Sequence, residues 1–135
     1  MSLFVIVILN IVTLLLINYY SLYITISLSN SMYPTIKKGN ILIVKGRVNF
    51  NRIKLNDIVV YKVLNIQYPI MHRVIKVLDD RVITKGDNNQ KEDDFIVNEE
   101  NIIGKLIYRF KTNIDIIDIR SKTMLYNILL YTIIL

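Results

Sequence analysis

DIVVYKVLNIQYPIMHRVIKVLDDRVITK, residues 57–85, holds three short runs rich in β-branched residues, 57–63, 69–77 and 81–85. Their length and residue type are those of strands. The turn signals LNIQYP and LDD separate them, so consecutive runs can fold back on one another. Upstream, ILIV at 41–44 follows the turn signal KKGN, and downstream NIIGKLIYRFK at 101–111 is a further strand. NIDIIDI at 113–119 has the composition of one more. No apolar repeat at helical spacing is sustained anywhere in this part, which is therefore expected to be mainly antiparallel β.

Outside this part the chain changes character. Of its 135 residues 53% are hydrophobic, high for a soluble domain, and every charged side chain lies between Lys37 and Lys122. Residues 3–17, LFVIVILNIVTLLLI, are almost wholly apolar, and the uncharged run continues to residue 28. About 20 such residues in a helix cross the hydrocarbon core of a bilayer. Tyr19, Tyr20 and Tyr23 suit the interface, where amphipathic rings collect. A basic start and a small-residue cleavage site, the marks of a cleavable secretory signal, are missing, so the expectation is a retained anchor over 1–28. The competing reading is a buried core helix. A β-rich catalytic domain is expected over 29–119, and a short apolar helix over 120–135, where MLYNILLYTIIL (124–135) is about half the length of a spanning helix.

The excess of basic residues, +6 overall, is scattered rather than clustered. It suits a solvated surface near lipid headgroups, and no nucleic-acid partner is expected. There is no cysteine, which excludes a disulfide framework and thiolate metal sites.

Three segments carry the residues of chemistry. Ser29-Asn30-Ser31-Met32-Tyr33-Pro34-Thr35 follows the apolar run directly. A serine hydroxyl becomes a nucleophile only when a neighbouring base takes its proton; on its own this segment reads equally as a turn or cap. His72, the single histidine, lies in a strand with Ile70 and Val74 on its own side by two-residue alternation. It is either a structural imidazole or a general base, and a base needs a carboxylate to fix its tautomer. Carboxylates follow in Lys85-Gly86-Asp87-Asn88-Asn89-Gln90-Lys91-Glu92-Asp93-Asp94. GDNN is a tight-turn sequence; clustered oxygens also suit Ca²⁺, but the spacing departs from the EF-hand loop, and no metal is expected.

Taken in order, an apolar helix, Ser29-Asn30-Ser31-Met32-Tyr33-Pro34, Lys38-Gly39-Asn40, Asp57-Ile58-Val59, His72-Arg73-Val74 and Lys85-Gly86-Asp87-Asn88-Asn89 resemble the type I signal peptidases of the archaeal and endoplasmic-reticulum kind. Ile103-Gly104-Lys105 resembles the last characteristic strand of that family. The resemblance implies a membrane-bound serine endopeptidase that removes signal peptides from translocated precursors by cutting after small residues. It implies Ser31 as nucleophile and Ser29 as the hydroxyl that completes an oxyanion hole with the Ser31 backbone N–H. His72 stands where bacterial and mitochondrial relatives carry a lysine, and is the implied general base. The relay carboxylate falls six positions after Asp87, at Asp93, with Asp94 beside it and Asp87 as a supporting carboxylate.

The implied partners are precursor proteins with signal peptides, membrane lipid and further subunits of a signal peptidase complex; no cofactor is implied. The resemblance places the catalytic domain of a single-pass protein on the extracytoplasmic or lumenal side. Lys37 and Lys38 after the helix, with no basic residue before it, argue the opposite by the positive-inside rule, which is weak for translocated domains. Two positions depart from the family pattern: Asn30 stands where Gly is usual, and Asn40 where Asp is usual. They motivate an alternative, a catalytically inactive membrane-anchored relative that binds peptides or scaffolds a complex.

Overall fold

The computed structural model describes residues 3–112. It opens with the helix α1 (Leu3–Tyr20) and continues into six strands: β1 (Leu22–Ile26), β2 (Ile41–Gly46), β3 (Ile58–Tyr61), β4 (Ile70–Val77), β5 (Val82–Lys85) and β6 (Ile102–Phe110). Residues 113–119, with a strand composition, and the apolar stretch 120–135 lie outside the described residues.

The 18 residues of α1 have a mean hydropathy of 2.3 and none is buried. Such a helix is about 27 Å long at 1.5 Å per residue, close to the ~30 Å of a bilayer's hydrocarbon core. Two of its polar side chains, Asn10 and Thr13, turn back on the helix itself. Asn10 Nδ2 donates to the Ile6 carbonyl at 2.8 Å and Thr13 Oγ1 to the Leu9 carbonyl at 2.7 Å, so each places a hydrogen on a backbone carbonyl one turn back.

The helix stops at Tyr20 rather than running on to residue 28. Ser21 adopts a positive φ of 49°, which breaks the helix, and Leu22–Ile26 then pairs antiparallel with β2, from Leu22 opposite Lys45 to Ile26 opposite Ile41. The physical reason is in LYITI itself. Ile24, Thr25 and Ile26 are β-branched and stiff at χ1, which favours a strand, whereas lack of charge alone does not separate a strand from a membrane helix. Tyr23, expected at a membrane interface, is half-buried in β1 and covers Gly46, where any Cβ would collide with its ring.

All pairings in the sheet are antiparallel, in the order β1-β2-β6-β3-β4-β5. Alternation along β3 divides its side chains between two apolar clusters. Val59 and Tyr61 join Phe50, Ile53, Val74, Val82 and Val97. Ile58, pointing the other way, joins Met32, Ile36 and Leu42, with Met71 and Leu106 against them. The second cluster is what seats the segment after β1: Met32 and Ile36 are 1% and 0% exposed. Burying a side chain of this size contributes roughly 1.5–3 kcal/mol, so the loop carrying Ser31 is held like core.

Candidate active site

The short segment around Ser31 is built as a turn. Tyr33 N–H donates to the Asn30 carbonyl at 3.0 Å and Ile36 N–H to the Met32 carbonyl at 2.8 Å. Met32 and Ile36 point into the core, leaving Ser31 half-buried and Ser29 exposed. The Gly86–Asn89 turn closes from the other side: Asn88 N–H donates to the Ser31 carbonyl at 2.8 Å, and Asn89 N–H to the Gly86 carbonyl at 2.9 Å. A Cβ on Gly86 would stand 2.7 Å from the Ser31 carbonyl oxygen, so the close approach of the two backbones requires glycine.

His72 projects from β4, opposite Val59 of β3, and is 7% exposed. Its Nε2 lies 3.1 Å from Ser31 Oγ, and its Nδ1 lies 2.6 Å from Asp93 Oδ2. Asp93 is set beside β5 by its own N–H, which donates to the Thr84 carbonyl at 2.8 Å. An ionised carboxylate only accepts, so the hydrogen on Nδ1 is assigned by this partner, and neutral His72 presents Nε2 as an acceptor to the serine hydroxyl. Burial pushes the Asp93 carboxyl up, but hydrogen bonds from His72, Thr84 and Tyr61 together outweigh it and hold the group below the usual carboxylate range.

Two of those donors carry no role in the sequence reading. Tyr61 Oη donates to Asp93 Oδ2 at 2.8 Å, and Thr84 Oγ1 donates to the same oxygen at 2.7 Å. Burial drives the Tyr61 phenol far above its ordinary value, so it stays protonated and remains a donor. No local signal marks them: a Tyr in IVVY or a Thr in VITK is ordinary strand composition.

The remaining candidates divide sharply. Ser29 Oγ is 3.1 Å from Ser31 Oγ and accepts from the Ser31 N–H at 3.4 Å, so this hydroxyl and N–H lie beside the Ser31 hydroxyl. Asp87 makes no hydrogen bond to the imidazole; Arg73 holds it, Nε to Oδ1 at 2.7 Å and Nη2 to Oδ2 at 2.8 Å. The guanidinium, chiefly by these hydrogen bonds and against the effect of burial, keeps the Asp87 carboxyl below its ordinary range. Arg73 also donates to the Asn56 carbonyl at 3.0 Å and to Thr35 Oγ1 at 3.4 Å, tying the acidic turn to the segment that carries Ser31. Asp94 is exposed and makes no hydrogen bond or ion pair among the described residues.

The two departures have structural uses. Asn30 is exposed, and its Oδ1 accepts from the Lys38 N–H at 3.0 Å. Asn40 is buried, accepts from the Lys37 N–H at 3.2 Å and donates through Nδ2 to the Thr112 carbonyl at 3.0 Å, a donation an ionised Asp could not make. Among the described residues no group of three His, Cys, Asp or Glu side chains could hold a metal ion.

A serine, an imidazole and a carboxylate joined in one hydrogen-bonded chain on an antiparallel β scaffold is the geometry by which serine hydrolases activate their nucleophile. Similarity in sequence narrows that class. The chain is 34% identical over 96 residues to the signal peptidase complex catalytic subunit SEC11 of Colletotrichum graminicola, covering 62% of this chain and 55% of that protein. It is 40% identical over 75 residues to the SEC11 subunits of Eremothecium gossypii and Saccharomyces cerevisiae, covering 52% of this chain and 44% of theirs. No protein-family model matches the chain. The chain spans about half the length of the curated relatives it matches, and over that span it is related in sequence to catalytic subunits of the signal peptidase complex.

Proposed function

We propose that this chain is a membrane-anchored serine endopeptidase that removes signal peptides from precursor proteins by cutting after small residues. The observation that carries the reading is the Ser31–His72–Asp93 chain, at 3.1 and 2.6 Å, in a sequence similar to SEC11 catalytic subunits.

In the reaction, Ser31 Oγ attacks the scissile carbonyl carbon as its proton passes to His72 Nε2. Asp93 stabilises the imidazolium that forms. The carbonyl oxygen becomes an oxyanion, which the Ser31 N–H and the Ser29 hydroxyl receive; one such donor typically contributes about 3 kcal/mol. The tetrahedral intermediate collapses, the peptide C–N bond breaks, and His72 returns the proton to the leaving amine. Water then gives a proton to His72 as it attacks the acyl-enzyme, the ester C–O bond breaks, and His72 returns the proton to Ser31 Oγ, freeing the signal peptide with its new carboxyl group. No metal or cofactor enters any step.

Leu3–Tyr20 serves as the anchor in this account, with the β domain on the extracytoplasmic or lumenal side and lipid around the helix. One residue separates α1 from β1, so the sheet sits at the membrane surface, where the apolar part of a signal peptide ends. Holding catalyst and substrate at one depth replaces a three-dimensional search with an oriented encounter. Other subunits of a signal peptidase complex are the expected assembly partners. Asn30 and Asn40, which motivate the inactive alternative, each make a structural hydrogen bond, and no observation favours that alternative.

The test is incubation of the purified full chain in detergent with a signal-bearing precursor, followed by mass measurement of both products. Cleavage at a single bond after a small residue is expected. Failure to cleave any such precursor, with the fold intact, contradicts the proposal.

A further inference from the structure

We propose that Tyr61 and Thr84 are positioning residues that hold Asp93 Oδ2 against His72 Nδ1, an inference that rests on the peptidase reading and adds two groups to it. Asp93 sits on a loop between exposed Glu92 and Asp94. Its backbone tie to the sheet is one hydrogen bond, to the Thr84 carbonyl. A carboxylate so placed can rotate away from the imidazole unless its side chain is held as well. Three adjacent strands supply the hold: Tyr61 from β3, His72 from β4 and Thr84 from β5 all reach the same oxygen, at 2.8, 2.6 and 2.7 Å.

The two hydroxyls have no other evident purpose. Tyr61 is 0% and Thr84 1% exposed, on a sheet face whose neighbours Val59, Val74 and Val82 are apolar. Phenylalanine and valine would fill those places without a buried polar atom. A buried hydroxyl without a partner is costly, and here the partners are Asp93 and one another, with Thr84 Oγ1 3.2 Å from Tyr61 Oη. In so dry a setting hydrogen bonds to a charged acceptor are strong, and they fix where the charge lies. The hydroxyls therefore keep Asp93 ionised and oriented, and Asp93 keeps the imidazole in the tautomer that accepts the Ser31 proton.

The experiment compares full-length wild type, Tyr61→Phe, Thr84→Val and Thr84→Ser in detergent, reading kcat and KM on a signal-bearing precursor. Tyr61→Phe and Thr84→Val should each lower kcat about tenfold, as loss of one hydrogen bond to a charged group does, with KM held to within about twofold because ground-state binding is untouched. Thr84→Ser, which keeps the hydroxyl and drops the methyl, should retain the wild-type kcat. His72 is the only histidine, so its Nδ1 proton gives one assignable NMR resonance, and this should move in Tyr61→Phe and Thr84→Val and stay in Thr84→Ser. Unchanged kcat and an unmoved resonance in Tyr61→Phe and Thr84→Val overturn the inference, and so does equal loss in Thr84→Ser and Thr84→Val, which would trace the effect to packing. A wild type that never cleaves sinks the peptidase reading alone, because the resonance still reports whether the hydroxyls orient the Asp93–His72 pair.

Discussion

Asp93 and Asp94 are neighbours with the same carboxyl group, yet one receives three hydrogen bonds and the other faces solvent. Asp93→Asn should therefore lower the rate severely, on the order of 10⁴, whereas Asp94→Asn should leave it nearly unchanged; kcat for the two purified variants decides. A severe Asp94→Asn and a silent Asp93→Asn would reverse the assignment. Asp87 predicts a different signature. Its folded carboxyl is held below the unfolded value by Arg73, so the contribution of this pair to stability is complete above the ordinary carboxylate range of about 3.9. It is lost as pH falls through the lower, folded value. Thermal midpoints measured from pH 6 downward should fall less steeply in Asp87→Asn than in wild type, and identical slopes would show that the pair contributes nothing. At this scale Ser31, His72 and Asp93 were legible as candidates because ordered motifs mark them, and the structure brings the three into one hydrogen-bonded chain. Tyr61 and Thr84 were not, because a lone Tyr or Thr in an apolar strand looks like ordinary β composition until three strands are brought into register.

The elements behave as carriers of these atoms. The Gly86–Asn89 turn is a brace for Ser31: its Asn88 N–H holds the Ser31 carbonyl, and its glycine leaves room for that carbonyl. In Gly86→Ala the added methyl must displace Ser31 backbone. A shift of about 1 Å at a reacting group costs roughly 10² in rate, so kcat should fall by that order while circular dichroism reports an intact sheet. Wild-type turnover in Gly86→Ala would mean the turn yields without moving the serine. Strand β1 is the element that sequence did not reveal. Its five residues LYITI continue an uncharged run, and the residue that ends the helix, Ser21 at φ 49°, carries no distinctive mark in the sequence. The other five strands were readable because turn residues punctuate their β-branched runs.

Across the whole molecule, the site lies where two packing units meet. Met32 and Ile36 fasten the Ser31 segment to one apolar cluster, while Val74 and Tyr61, on the sheet face that carries His72, belong to the other. β3 joins them by sending Ile58 one way and Val59 and Tyr61 the other. Met32→Ala should thus cost about 2–5 kcal/mol of stability, as truncation of a buried Met does, and activity should fall with the folded fraction; a denaturant titration checks this, and no loss would show the cluster to be slack. The sheet order β1-β2-β6-β3-β4-β5 was beyond the sequence, since inserting β6 between β2 and β3 depends on pairings between residues far apart in the chain. Such long-range pairing leaves no local pattern.

The central claim is that Ser31 performs the attack, and turnover of a signal-bearing precursor by wild type and by Ser31→Ala under identical detergent conditions tests it most directly. The substitution removes a half-buried hydroxyl and leaves Met32 and Ile36 in the core, so the fold should survive. Wild type should cleave at one site, and Ser31→Ala, with the same circular dichroism spectrum, should give no product above the uncatalysed rate. Wild-type turnover by Ser31→Ala would contradict the account.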